Sequence, residues 1–235
     1  MAEGRSGVRI EFGTGKAKFA IILRMKKGRF ITFEGGEGCG KSTQVKRLKE
    51  ALENVGIKVL LTREPGGTRL SELIRGLLKD EREDPPCDRS ELLLFLAARA
   101  QLVRHVIRPA LDAGVWVVSD RFSDSTFAYQ GYGRGLPLDV LRLANEFACE
   151  GLKPDLTLLL DVDAATSQAR MRSREAATNT TADRIEQAGD AFHDRLRQGF
   201  LEMAAAEPER IVKIDAAGTK EEVWEKVWTS LKPIL

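Results

Sequence analysis

The sequence predicts a single doubly wound α/β domain, a parallel five-stranded sheet with helices on both faces. Two observations carry this. Five short apolar runs recur along the chain, each separated from the next by longer stretches, several with helical spacing. The runs are continuously apolar rather than alternating, as strands buried on both faces must be. In order they are RFITFE (29–34), KVLLT (58–62), VWVVS (115–119), LTLLLD (156–161, introduced by Pro154) and RIVKI (210–214).

The intervening segments read as helices. Residues 41–55 place Val45, Leu48, Leu52 and Val55 at three- and four-residue spacing, one face of a helix. Ser90, followed by Glu91, opens a long helix to residue 113 that bends at Pro109. A last helix follows residue 214. No internal repeat, low-complexity tract or linker divides the chain, so residues 25–235 form one domain. Residues 1–24 combine glycine, charge and one short apolar knot before Met25. They read as a disordered extension, lacking the apolar core and cleavage site of a signal peptide.

Composition narrows the function. Of 235 residues, 43% are hydrophobic and 31% charged, and 37 basic against 35 acidic residues leave a net charge of +2. That balance excludes the basic bias of a nucleic-acid footprint, and no run reaches the roughly 18–20 apolar residues of a membrane span. Three dispersed cysteines, Cys39, Cys87 and Cys149, make neither a disulfide framework nor a zinc site and fit a reducing, cytoplasmic compartment.

Between the first strand and the first helix lies EGGEGCGKST, in which Gly35, Gly36, Glu37, Gly38, Cys39, Gly40, Lys41 and Ser42 fit GxxxxGK[ST], with Thr43 following. Such a match arises by chance in about one chain of this length in a hundred. Its position after a strand and at a helix start gives it a mechanism, that of a phosphate loop and its NTPase fold. Glycines let backbone N–H groups converge on phosphate oxygens, and the helix N-terminus adds partial positive charge. Lys41 would reach the β- and γ-phosphates of a nucleotide and the Ser42 hydroxyl would ligate Mg²⁺. The loop alone leaves GTPases, ATP motors and small-molecule kinases open. No NKxD-type guanine reader occurs. Asp120 ends the third run with Arg121 directly behind it, at the sheet edge where ligands of such folds bind.

Three segments suggest a second substrate. TREPGGT (62–68) brings Arg63, with Arg69 and Arg75 further on, and a surface turn with solvated arginines accounts for it as well. FLAAR sets Phe95 and Arg99 four residues apart on one helix face. Phe95 alone would pass as core, but an arginine within LLLFLAARAQL needs a partner. DRFSDSTFAYQG then supplies Arg121, Ser125, Thr126, Tyr129 and Gln130, and helix capping explains Ser123 and Asp124 but not Arg121, Tyr129 or Gln130.

With these stretches together, and with LANEFACEGLKPDLTLLLDV and DRIEQ in the same order, the chain from about Lys27 resembles the bacterial thymidylate (dTMP) kinases, a family of phosphate-loop nucleoside monophosphate kinases. The resemblance implies transfer of the ATP γ-phosphoryl group to dTMP with Mg²⁺, a step toward dTTP, in a cytoplasmic homodimer. It implies that Phe95 stacks on thymine, that Arg99 and Thr126 bond its edge with Gln130 close by, and that Arg121 with Arg63 or Arg75 holds the dTMP phosphate beside Ser125. Tyr129 would crowd the sugar 2′ position, Glu37 would face the sugar or its phosphate, and Asp120 would sit near Mg²⁺. A mobile lid over about 170–186 would bring Arg170, Arg172 or Arg174 over the phosphates to act with Lys41 and Arg121. The turn at 214–217 would rest the adenine, and the helix predicted over 90–113 could supply the dimer interface. The alternatives are a kinase of the same fold for another monophosphate and a non-catalytic nucleotide-binding module.

Overall fold

A computed structural model describes residues 27–80, 83–178 and 189–235. The expected extension at 1–24 and the lid residues from 179 onward lie outside the described residues.

All five predicted strands form, β1 starting a residue later and β2, β3 and β5 each shifted by one residue: β1 (Phe30–Glu34), β2 (Val59–Arg63), β3 (Trp116–Asp120), β4 (Leu156–Asp161) and β5 (Ile211–Asp215). They make one fully parallel sheet in the order β2-β3-β1-β4-β5. β1 is central and wholly buried, consistent with its continuous apolar run. The order reverses direction between β1 and β3, so their carboxyl ends open the crevice in which ligands of this topology sit.

The helices are α1 (Lys41–Asn54), α2 (Arg69–Lys79), α3 (Asp88–Leu102), α4 (Arg108–Asp112), α5 (Ser123–Thr126), α6 (Leu138–Cys149), α7 (Ala164–Thr178), α8 (Asp190–Ala206) and α9 (Lys220–Leu231). On one side of the sheet α1 and α9 bury Val45, Leu48, Leu52, Val223 and Val227 against Ile31, Leu158 and Ile214. On the other, Phe30, Val117 and Phe122 pack with Leu102, Val103 and Ile107, while Phe192, Leu196 and Phe200 of α8 cover Leu159 and Ile211.

Two expectations change. The long helix begins at Asp88 rather than Ser90, and what interrupts it is a π-helical stretch, Val103–Ile107, ahead of Pro109. Pro109 sits in the first turn of α4, where its missing N–H costs nothing. The segment after TREPGGT, which the sequence pattern left unassigned, is α2, capped by the Thr68 hydroxyl accepting from Ser71 N. A second π-helical stretch, Phe127–Gly133, follows α5 and carries Tyr129 and Gln130. Among the described residues no helix is long and apolar enough to cross a membrane.

Candidate active site

The phosphate loop leaves β1 at Gly35 and enters α1 through Gly40, whose φ of 95° is left-handed. Two glycines are dictated by contact. A Cβ on Gly35 would lie 2.3 Å from the Leu160 carbonyl oxygen, and one on Gly38 2.6 Å from that of Ser167, both at positive φ. The loop is thus pinned between β4 and α7, with Ser167 Oγ donating to Glu37 O at 2.7 Å. Lys41 is buried and folds over its own loop, donating to the carbonyls of Gly35 (3.1 Å) and Gly36 (2.7 Å). These are bonds that phosphate oxygens can replace. Ser42 Oγ donates to Asp120 Oδ2 at 2.9 Å, so hydroxyl and carboxylate converge from α1 and the end of β3.

A single cavity of about 960 Å³ runs from this loop across the carboxyl ends of the strands. It is lined by loop residues from Glu37 to Thr43, and by Arg63, Arg75, Phe95, Arg99, Asp120, Arg121, Ser125, Thr126, Tyr129, Gln130, Arg170 and Arg174. Gly35, Gly36 and Arg172 are the candidates that do not line it. Glu37 and Arg174, 137 positions apart, are thereby brought to one space.

Arg121 is its centre. At φ 74° it is a non-glycine residue in left-handed backbone, a strained conformation that persists only when its surroundings enforce it. They do: Arg121 N donates to Phe33 O, and its guanidinium reaches Gly35 O (3.0 Å), Ser125 Oγ (3.2 Å) and, in a tight ion pair, Glu37. The guanidinium also lies over the Tyr129 ring, 5.0 Å from its centroid. Burial alone would raise the Glu37 carboxyl, but Arg121 and Lys41 beside it, with Lys79 and Arg174 behind, hold it down at about 2. Glu37 is therefore a fixed negative charge neutralising the arginine cluster. An incoming dianion would take its place at Arg121.

Beneath Arg121, Glu34 is completely buried at the end of β1. It accepts from Phe122 N (2.8 Å), Ser125 N (3.3 Å) and Ser125 Oγ (2.6 Å), anchoring the first turn of α5. Burial, with Asp124 nearby, pushes its carboxyl up to about 8 against those bonds and the Arg121 charge.

Arg99 answers the question its sequence raised. It is 1% exposed, and its partner is Glu64 of the TREPGGT segment, at 2.6 Å in a buried ion pair. Its remaining donors go to Thr126 Oγ1 (2.7 Å), Asn145 Oδ1 (2.8 Å) and Phe122 O (3.1 Å). Nε donates to Glu64 as well, so four of the five N–H groups donate within the protein and Glu64 pairs the charge, leaving the guanidinium largely committed before any base arrives. Arg63 Nη2 donates to both oxygens of Glu72 at 3.1 Å, and Arg75 donates to Pro65 O at 2.9 Å, holding the loop that borders the cavity. Phe95 is half-buried and presents its ring to the cavity between α2 and the π-helical stretch.

On α7, Arg170 clasps the turn after β5, donating to the carbonyls of Ala216 (3.0 Å), Ala217 (3.3 Å) and Gly218 (3.1 Å). One helical turn on, Arg174 lines the cavity from the same face, whereas Arg172 reaches back to Gln168. Sequence reasoning missed Glu34, Glu64 and Glu91, the buried carboxylates that hold the arginines and the amide. Only the demand that a buried arginine be paired pointed toward any of them.

A phosphate loop on a five-stranded parallel sheet, with an arginine-lined chamber across the crevice, defines a nucleotide-dependent phosphotransferase of the phosphate-loop class. The thymidylate kinase family model matches residues 33–227. Curated thymidylate kinases align over most of their length: that of Trichormus variabilis is 46% identical, covering 88% of this chain and 97% of its own, and that of Solidesulfovibrio magneticus is 51% identical, covering 85% and 96%. The crystal structure of thymidylate kinase from Ehrlichia chaffeensis superposes with a TM-score of 0.69 at 34% identity, covering 88% of this chain and 99% of that one. The chain belongs to the thymidylate kinase family.

Proposed function

We propose that this protein transfers the γ-phosphoryl group of ATP to dTMP, giving dTDP and ADP. The observation that carries the reading is the Arg121–Glu37–Tyr129 cluster directly beside the phosphate loop, an anion site that shares one cavity with the triphosphate cradle. A dTMP phosphate oxygen, already ionised at neutral pH, attacks the γ-phosphorus. A bond forms from that oxygen to phosphorus and the bond to the β,γ-bridging oxygen breaks, so no general base is needed. Positioning and charge neutralisation carry the rate. Lys41 leaves its loop carbonyls for the β- and γ-oxygens, Arg121 exchanges Glu37 for the dTMP phosphate with Ser125 beside it, and Arg63 and Arg75 border the same side. Glu37, displaced, turns to the sugar, and Tyr129 closes the space at its 2′ position. Phe95 stacks on the base, with Thr126 and Gln130 at its edge and Arg99 bracing Thr126.

Mg²⁺ fits the residues present. It favours oxygen donors, keeps several waters and is held by one or two protein groups plus substrate phosphates, and the Ser42 hydroxyl and Asp120 carboxylate meet at that place. When bound it neutralises charge on the β- and γ-phosphates. Arg174 is the lid arginine suited to transition-state stabilisation, since it lines the cavity and its charge acts on Glu37 at the phosphate loop, whereas Arg170 is held at the turn after β5 and Arg172 is absent from the cavity lining. Free Cys39, Cys87 and Cys149 fit a cytoplasmic enzyme. A homodimer is further supported by the exposed leucines of α2 and α6.

Coupled detection of ADP with a panel of dTMP, dUMP, UMP, CMP, AMP and GMP tests the reading. dTMP is expected to give the highest kcat/KM, and Lys41→Ala to abolish turnover with the fold intact. Preference for another monophosphate overturns the substrate assignment. ATP binding without turnover of any of them would favour a non-catalytic module.

A further inference from the structure

We propose that Glu91 is the positioning residue that sets base specificity, by fixing which end of the Gln130 amide faces the cavity. The inference deepens the dTMP reading and rests on it. Glu91, on the first turn of α3, is 1% exposed although it carries a carboxylate. Its Oε1 accepts from Gln130 Nε2 at 3.0 Å, and Arg134 donates to both its oxygens, at 3.3 Å and 3.2 Å. Arg134 is itself held over the Phe192 ring, 4.9 Å from the centroid, so the clamp is fixed from behind.

A carboxylate paired with arginine only accepts hydrogen bonds, so the Gln130 group facing it must be the NH₂. The carbonyl Oε1 is then the end left for the cavity that Gln130 lines. Gln130 is 1% exposed, and its Oε1 accepts no hydrogen bond from any described residue, yet it is not among the sealed, unpartnered polar atoms. It therefore opens on the cavity, an acceptor awaiting a donor.

Thymine and uracil carry N–H at N3, whereas cytosine carries a lone pair there. A fixed acceptor bonds the first two and repels the third, discrimination by a mismatched polar group rather than by shape. Without Glu91 the amide is free to flip and present NH₂, which suits cytosine.

The test compares kcat/KM for dTMP, dUMP and dCMP in three variants. Glu91→Gln keeps volume and contacts the amide in either orientation. It is expected to lower the dTMP:dCMP ratio by about tenfold or more, through the KM for dTMP, while dTMP:dUMP stays within about twofold. The KM for ATP should not move. Gln130→Met removes the acceptor and should lower the same ratio alike, and Glu91→Gln on the Gln130→Met background should add nothing. A purely structural role for Glu91 predicts instead a loss shared by all three nucleotides, and that result overturns the proposal. So does an unchanged dTMP:dCMP ratio in Gln130→Met, which decides the matter even if Glu91→Gln does not fold. A wild-type protein that turns over none of the three overturns the reading of the site itself, and this inference with it.

Discussion

At the scale of single residues, the site is organised by buried carboxylates more than by the basic groups they hold. Glu64 pairs Arg99, Glu91 clamps Gln130 and Glu34 anchors the turn that strains Arg121. Glu34 has a consequence for stability. Its carboxyl stands near 4.5 when unfolded and is pushed up to about 8 in the fold by burial and by Asp124. Folding therefore takes up a proton at neutral pH. The contribution of Glu34 is complete below its unfolded value and is lost as pH rises through the folded one, because the native state must then bury a charge. Between pH 6 and pH 8 the wild type should lose stability, relative to Glu34→Gln, by roughly 2 kcal/mol. Glutamine can still accept from Phe122 N and contact Ser125, but it does not titrate. Urea unfolding at the two pH values measures the difference, and parallel pH slopes in the two proteins would show that Glu34 is ionised throughout.

At the scale of elements, the strands were legible in the sequence and the helix-borne lid and buttresses less so. Short apolar runs bounded by turn residues fit strands of a helix-covered sheet. All five form within a residue of their predicted bounds, with β1 and β4 the most fully buried. α2 was hidden because its apolar Leu70, Leu73 and Leu77 face outward, although Thr68 with Ser71 carried a capping signal. The π-helical stretch at Phe127–Gly133 has no sequence signature, since it reflects packing against α8 rather than local propensity. The phosphate loop and the arginine cluster were readable because their spacing is local, while Glu64 and Glu91 are 35 and 39 positions from the groups they hold. Three lid arginines were equivalent in sequence, and α7 separates them by helical phase. Arg174→Ala should lower kcat by ~10²-fold or more with the KM for dTMP little changed, because its charge is used in the transition state. Arg172→Ala should leave kcat within about twofold, as an exposed residue off the cavity. Equal losses in both would place the catalytic charge elsewhere on the lid.

At the scale of the whole molecule, the exposed apolar groups are not scattered. Leu70, Leu73 and Leu77 make one stripe on α2, and Val140, Leu143 and Phe147 make another on α6, with Phe147 88% exposed. α3 packs against both helices and adds Leu93, 64% exposed, between them. The inner face of α3 is ordinary core, through Leu92, Leu96 and Leu102, so the expected interface on that helix reduces to its outer edge. Contiguous apolar surface of this kind marks an association site, and a self-complementary patch would need to bury about 800 Å² per partner to be stable. The same helices carry the residues proposed to bind the nucleotide: Phe95 and Arg99 lie on α3 and Arg75 on α2. Pairing would therefore brace the walls of the dTMP chamber without lending it a residue. Light scattering should give twice the 26.0 kDa chain mass. Leu143→Asp with Phe147→Asp should give monomers whose KM for dTMP rises several-fold while the KM for ATP, set by the phosphate loop on the far side of β1, stays put. A variant that remains dimeric would move the interface off α6, and monomers with an unchanged KM for dTMP would mean that α3 holds the base site by its own packing against the core.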